Sequence, residues 1–269
     1  MKRSGIVTLT TDFGVVDPYL AMMKGVILSI NNSARIVDIN HHIMAGSIIQ
    51  AAGMIRETFP FFPEGTVHVA IVDPGVGSDR RLIVLEAGGH LFVGPDNGIF
   101  WPVMAEYKKI MIVHLTEKRY FLPRITPTFH GRDVFAPVAA HLSLGVDSAK
   151  MGPVIKDPVK LSSPRPHRID DILYGQVMRV DNFGNLITNI SNEDIDIFLK
   201  KSKPIIHIGN LEIKKLDNIY SDVDKGEPLA LIDSSNLLEI AVNLGRAAEY
   251  IGKDPGEIVG SVVKVSRYE

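Results

Sequence analysis

Cysteine is missing from the 269-residue chain. That absence excludes disulfides, thiolate metal sites and a cysteine nucleophile, and it fits a reducing compartment. Long apolar runs are missing as well. None reaches the ~18 residues of a membrane span, and Met1-Lys2-Arg3-Ser4 leads into a short strand pattern rather than a signal region. No sign of charge dominates: 29 basic and 31 acidic residues give a formal net charge of −2, which offers nucleic acid no electrostatic footprint. The common glycine-rich phosphate loops are absent too, with no GxxxxGK(S/T) and no GxGxxG after the first strand pattern. The expectation is a soluble, cytoplasmic protein that engages neither membrane nor nucleic acid.

What is present is ordinary globular material, 45% hydrophobic and 22% charged, in two successive patterns. Ile6 to Leu9 reads as a buried strand. Asp17 then predicts a helix N-cap with Pro18 at the first helical position, and Leu20, Met23, Val26, Ile27 and Ile30 follow at helical spacing. A strand over 35–39, a helix over about 47–58 and a strand over 66–72 continue the alternation. Two more strands, 82–86 and 90–93, flank a hairpin at Ala87-Gly88-Gly89, and an apolar helix opens at Phe129-His130-Gly131-Arg132-Asp133. This alternation predicts an N-terminal α/β domain over 1–152, a mostly parallel twisted sheet flanked by helices. Pro153, Pro158, Pro164 and Pro166 mark a linker over 153–170. Short β patterns with turn signals then fill 171–269, including one over 259–265, and predict a smaller antiparallel β-barrel.

The segment Val72-Asp73-Pro74-Gly75-Val76-Gly77-Ser78-Asp79-Arg80 carries the densest chemistry. Asp73 falls where a strand meets a loop, the end of an α/β sheet at which ligands bind. The turn residues let Arg80 fold back towards it, either as a brace for the loop or as a pair that polarises a small reactant. Asp12 ends the first strand, where a carboxylate can accept two ribose hydroxyls or cap a helix. His130 stands at a helix entrance, whose positive end favours a neutral ring able to take a proton; a capping or core histidine is the other reading. The neighbours His41 and His42 diverge and lack HxxxH spacing, so no metal is expected. In the second half, Asp181-Asn182-Phe183-Gly184-Asn185 sets an acid, an aromatic face and an amide in one turn. Amides match a purine edge, and Phe183 or Tyr220 could stack on its face, although a bare hairpin turn would look the same.

Taken in order, several segments resemble one family. They are Thr11-Asp12-Phe13-Gly14 with Asp17-Pro18-Tyr19, Phe62 to Val67, Val72 to Gly77 with Arg80, Gly94-Pro95-Asp96-Asn97-Gly98, Phe129 to Asp133, Asp181 to Asn185, and Leu238 to Asn243. The chain is similar to the S-adenosylmethionine hydroxide adenosyltransferases, relatives of the S-adenosylmethionine-dependent fluorinases and chlorinases, from about Ile6 to Val265. The resemblance implies hydrolysis of S-adenosylmethionine, a small-molecule substrate, to adenosine and methionine with no metal and no cofactor. It implies Asp73, Arg80 and His130 as the water-activating set and Asp12 as the ribose carboxylate. It implies Asp17, Asp181 and Ser234 at the methionine end, and Phe183, Asn185 and Tyr220 at the adenine end. It implies homotrimers whose active sites lie between the first domain of one subunit and the second domain of its neighbour. Gly131 and Asp73 stand where a fluorinase-like halide pocket has a serine and an aromatic, which argues for water as the nucleophile. Ala45-Gly46-Ser47 lacks the proline and acid common after this histidine-bearing strand end, and Ser235 replaces an arginine of the halogenases. Two other readings remain: a protein that binds S-adenosylmethionine or adenosine without turnover, and a halide-using adenosyltransferase.

Overall fold

The computed structural model describes residues 2–162, 164–200, 202–252 and 255–268. It divides into two compact units, Met1–Ser162 and Ser163–Glu269; Ser163, within the proline-rich stretch, lies outside the described residues.

The first unit runs β1 (Ile6–Thr11), α1 (Tyr19–Ile30), β2 (Arg35–Asn40), α2 (Ile48–Thr58), β3 (Val67–Ile71), β4 (Leu82–Ala87), β5 (His90–Pro95), α3 (Trp101–Glu106), β6 (Ile110–His114), α4 (Ala136–Ser143) and β7 (Val154–Ile155). Its seven strands lie in the order β2-β1-β3-β5-β4-β6-β7. The sheet is mixed. β2, β1, β3 and β5 pair in parallel, whereas β5, β4, β6 and β7 pair antiparallel. Gly88 and Gly89, at φ +55° and +81°, supply the left-handed conformations that the tight β4–β5 hairpin needs.

Alternation along β3 shows why helices cover both faces. Val67, Val69 and Ile71 join a core with Met23 and Ile27 of α1 and Val138 and Ala139 of α4. Ala70 and the following Val72 join another with Ala51 and Ile55 of α2 and Val103 of α3. A strand buried on both sides has no polar face to spare.

The second unit holds β8 (His167–Ile169), β9 (Ile172–Val180), β10 (Leu186–Ser191), α5 (Asn192–Leu199), β11 (Lys203–Ile208), β12 (Leu211–Ile213), β13 (Pro228–Ile232), β14 (Leu237–Val242) and β15 (Val262–Tyr268). They form an antiparallel sheet in the order β12-β11-β15-β9-β10-β14-β13, with β8 on β9. The sheet curls into a near-closed barrel. Asp217, just past β12, donates its N–H to Ala230 of β13 at 2.8 Å and bridges Leu231.

Three local expectations need correction. Helix α1 begins one residue later than the spacing predicts, because Pro18 takes the cap position and its carbonyl accepts the first helical bond from Met22. The strand expected from Val259 begins at Val262, since Gly260 turns at φ +86°. The helix expected from Phe129 opens instead as a π-helical turn over Gly131–Phe135 before α4.

A buried polar row crosses the parallel strands. Thr8 Oγ1 lies 2.8 Å from His68 Nδ1, and His68 Nε2 lies 3.2 Å from His90 Nδ1. Burial, then the neighbouring His90, pushes His68 from 6.5 down to about 3. Burial also lowers His90. Below pH ~6.5 the unfolded chain therefore binds protons that the folded chain refuses, so stability present above that pH is lost as pH falls. The thermal midpoint should decline steadily from pH 6.5 towards 4 in a calorimetric series, less steeply in His68→Gln. A midpoint unchanged across that range would contradict the assignment.

Candidate active site

Strand order locates the site. From β1 the chain passes through α1 to β2 on one side, and returns through α2 to β3 on the other. Helices α1 and α2 pack on opposite faces. The crevice beyond the carboxyl ends of β1 and β3 is thus a topological switch point, the place where an open α/β sheet binds ligands. Asp12 follows β1 and Asp73 follows β3 by two residues. Between them opens a cavity of about 240 Å³ whose wall includes Asp12, Gly46, Asp73, Phe129, His130 and Gly131.

The loop after β3 is built to turn Arg80 back. Val76 N–H donates to Asp73 O, Ser78 N–H to Gly75 O, and the Ser78 hydroxyl to Gly75 O at 2.7 Å. Gly77 sits at φ +81°, where a Cβ would stand 2.5 Å from Pro127 O, so only glycine fits. Asn97, from the loop after β5, donates its side-chain amide to Val72 O at 2.8 Å and steadies the residue before Asp73.

Arg80 Nε donates to both Asp73 oxygens, at 2.6 and 2.7 Å, and Nη2 donates to Oδ2 as well. Nη2 also reaches His130 Nδ1 at 3.1 Å. Guanidinium can only donate, so Nδ1 is the acceptor and a neutral His130 carries its proton on Nε2. Burial first, and then the positive charge of Arg80, hold His130 below the ordinary histidine range. Arg80 Nη1 is buried with no hydrogen-bond partner among the described residues. The pair therefore braces its loop, and of the three residues Asp73 and His130 line the cavity. Asp133 anchors the π-helical turn that carries Gly131, with Thr126 donating both N–H and hydroxyl to its Oδ2 and Arg132 Nε donating to Oδ1.

Asp12 accepts from Gly46 N–H at 2.9 Å through Oδ2. Asp17 lies exposed just before α1 and does not line the cavity. Phe13, Tyr19 and Phe129 form an edge-to-face cluster, with centroids 5.3 to 6.1 Å apart, at the cavity's border with a second cleft. His41 is buried and His42 exposed.

The residues expected from the second unit gather on its turns. Asp181 spends its carboxylate on its own loop, accepting from Phe183 N–H at 2.8 Å, Asn185 N–H at 2.9 Å and the Asn185 amide at 3.3 Å. Phe183 is 73% exposed while Asn185 is buried. The Tyr220 hydroxyl donates to Glu239 Oε1 at 2.8 Å. Burial, then this carboxylate, pushes Tyr220 up to about 12. Burial raises Glu239 as well. Ser234 lies exposed between β13 and β14. Asn97, Gly46 and Glu239 escaped residue-by-residue reading. Asn97 and Glu239 fall inside segments that already stood out as motifs, whereas Gly46 marked only a departure from the family pattern.

Comparison with known proteins gives the family. Residues 7–152 match the model of the SAM hydroxide adenosyltransferase N-terminal domain, and residues 175–260 match that of the C-terminal domain. An (R)-S-adenosyl-L-methionine hydrolase of Salinispora arenicola is 36% identical, covering 96% of this chain and 97% of its own. A fluorinase of an Actinoplanes species is more distant, 27% identical over 88% of this chain and 91% of its own. The solved structure of an uncharacterized conserved protein from Thermotoga maritima superposes with a TM-score of 0.88 at 34% identity, covering 97% of this chain and all of that one. The chain belongs to the SAM hydroxide adenosyltransferase family.

The ring of His130 gives a direct check. Nitrogen NMR of the labelled protein at pH 7 should show a neutral imidazole protonated on Nε2, and Arg80→Gln should raise its titration midpoint. A doubly protonated ring at pH 7, or an Nδ1 proton, would contradict the contact with Arg80.

Proposed function

We propose that the protein hydrolyses S-adenosylmethionine to adenosine and methionine, and that it takes the (R) sulfonium epimer named for its hydrolase relatives. The observation that carries this reading is that Asp73 and His130, both held by Arg80 from behind, line one cavity with Asp12. In the proposed reaction Asp12 holds the ribose hydroxyls and presents C5′ to a water. The C5′–O bond forms as the C5′–S bond breaks, and its electron pair stays on sulfur, so methionine leaves as a neutral thioether. The water must also lose a proton. Nη1 of Arg80, unpartnered among the described residues, is the donor that would stabilise hydroxide character. His130, its Nδ1 lone pair engaged by Arg80, would orient the water through Nε2–H and leave the proton to Asp73. Positioned proton transfer of this kind is worth roughly 10²–10⁴ in rate. Hydroxide and sulfonium charges cancel as the bond changes proceed, which favours a site that excludes bulk water.

Gly131 supports water over halide. A Cβ there would stand 3.2 Å from Phe129 and 3.3 Å from both Ile71 and Met23, so a serine hydroxyl for an anion enters only if these side chains shift. For the rest of the substrate we propose Asp17, Asp181 and Ser234 at the methionine end and Phe183, Asn185 and Tyr220 at adenine. A homotrimer, with a neighbouring copy supplying the second-unit residues, would complete the site.

An assay with resolved epimers tests the reading. The (R) epimer should yield adenosine and methionine in equal amounts, and Asp73→Asn should turn over at least about 100-fold more slowly while still binding. Bound but unchanged substrate would leave a binding protein.

A further inference from the structure

Behind Asp12 runs a chain of polar contacts that the proposed chemistry does not use. At its outer end Lys24 of α1 donates to Asp38 Oδ2 of β2 at 2.6 Å. Asp38 Oδ1 faces His41 Nε2 at 3.2 Å, too oblique for a full hydrogen bond. His41, 4% exposed, lies just past β2 and sets Nδ1 2.8 Å from the Thr11 hydroxyl. A carboxylate only accepts, so a proton on Nε2 suits Asp38 and leaves Nδ1 to accept from Thr11. The Thr11 oxygen in turn accepts from Phe13 N–H at 3.3 Å, and His41 O accepts from Gly14 N–H at 2.7 Å. Ring and carbonyl of one histidine thus grip both sides of Asp12. Gly46, on the segment that follows His41, completes the hold through its N–H on Asp12 Oδ2.

We infer that His41 is a positioning residue, which fixes Thr11 to Gly14 so that Asp12 meets the two ribose hydroxyls of a nucleoside substrate. This rests on reading the cavity as the nucleoside site. His41 touches no reacting atom. Thr11 is fully buried and so is not a nucleophile, despite an acid–histidine–hydroxyl sequence. A loosened Asp12 weakens ground state and transition state alike, so the loss belongs in KM and not in kcat.

Steady-state kinetics with S-adenosylmethionine test it in single and double variants, each checked for an intact thermal transition. His41→Ala should raise KM about tenfold, one hydrogen bond's worth of affinity, with kcat nearly unchanged. Thr11→Val, close to isosteric, should do the same if His41→Ala folds poorly. His41→Asn, whose amide oxygen can accept from Thr11, should recover most of the loss. In an Asp12→Ala background His41→Ala should raise KM no further. A fall in kcat with KM unmoved, or effects that multiply with Asp12→Ala, would overturn the proposal alone. An Asp12→Ala variant with the parent KM would bring down the ribose reading, and this proposal with it.

Discussion

One guanidinium, that of Arg80, holds both the carboxylate that follows β3 and the imidazole that precedes the π-helical turn. Arg80 and His130 come from segments fifty residues apart, and neither helix nor strand geometry alone would bring them together. The planar, five-donor fork is what makes the join possible: Nε and Nη2 serve Asp73, Nη2 also serves His130, and Nη1 is left over. A lysine could neutralise Asp73 but could not span both partners in one plane. Burial of the assembly adds the second constraint, because a neutral His130 beside a cation is the arrangement a low-dielectric pocket tolerates.

Around that tie the fold places supports that hold the loops bearing the site residues. Asn97 fixes Val72, Asp133 fixes the entrance of the π-helical turn, and Gly46 and His41 fix the loop after β1. Their elements converge because β1 and β3 are neighbours whose connections leave on opposite faces. A π turn inserted in a helix re-aims side chains within a single turn, and here it lies directly after His130 and carries Gly131 on the cavity wall. Precision at the cavity is therefore inherited from the sheet.

Much of this was legible in the residues. The paired glycines at 88–89 announced the β4–β5 hairpin, and the Asp73-to-Arg80 segment announced its own turn. The parallel half of the sheet followed from strand–helix alternation, whereas the antiparallel half beyond β5 is set by long-range pairing that local pattern does not encode. Helix α5 does not emerge from the hydrophobic pattern although Ser191 and Asp194 write a reciprocal capping box, with Ser191 Oγ accepting from Asp194 N–H at 3.1 Å and Asp194 accepting from Ser191 N–H at 2.9 Å. It sits among strand patterns, where an eight-residue helix leaves a weak period. The π turn was not legible at all, since its extra residue per turn is stabilised by Thr126 and Leu122, distant in the reading frame of any helical pattern. Asp181 shows what residue type leaves open: the hydrogen bonds that close its own turn depend on backbone geometry that the sequence does not print.

In the proposed reaction water, held by Asp73, Arg80 and His130, attacks C5′ of the ribose. Turnover of S-adenosylmethionine in ¹⁸O-labelled water containing chloride, read by mass spectrometry, tests that step most directly. Direct attack by water gives adenosine carrying one ¹⁸O at its 5′ oxygen. Unlabelled adenosine, or a 5′-chloro nucleoside, would contradict it.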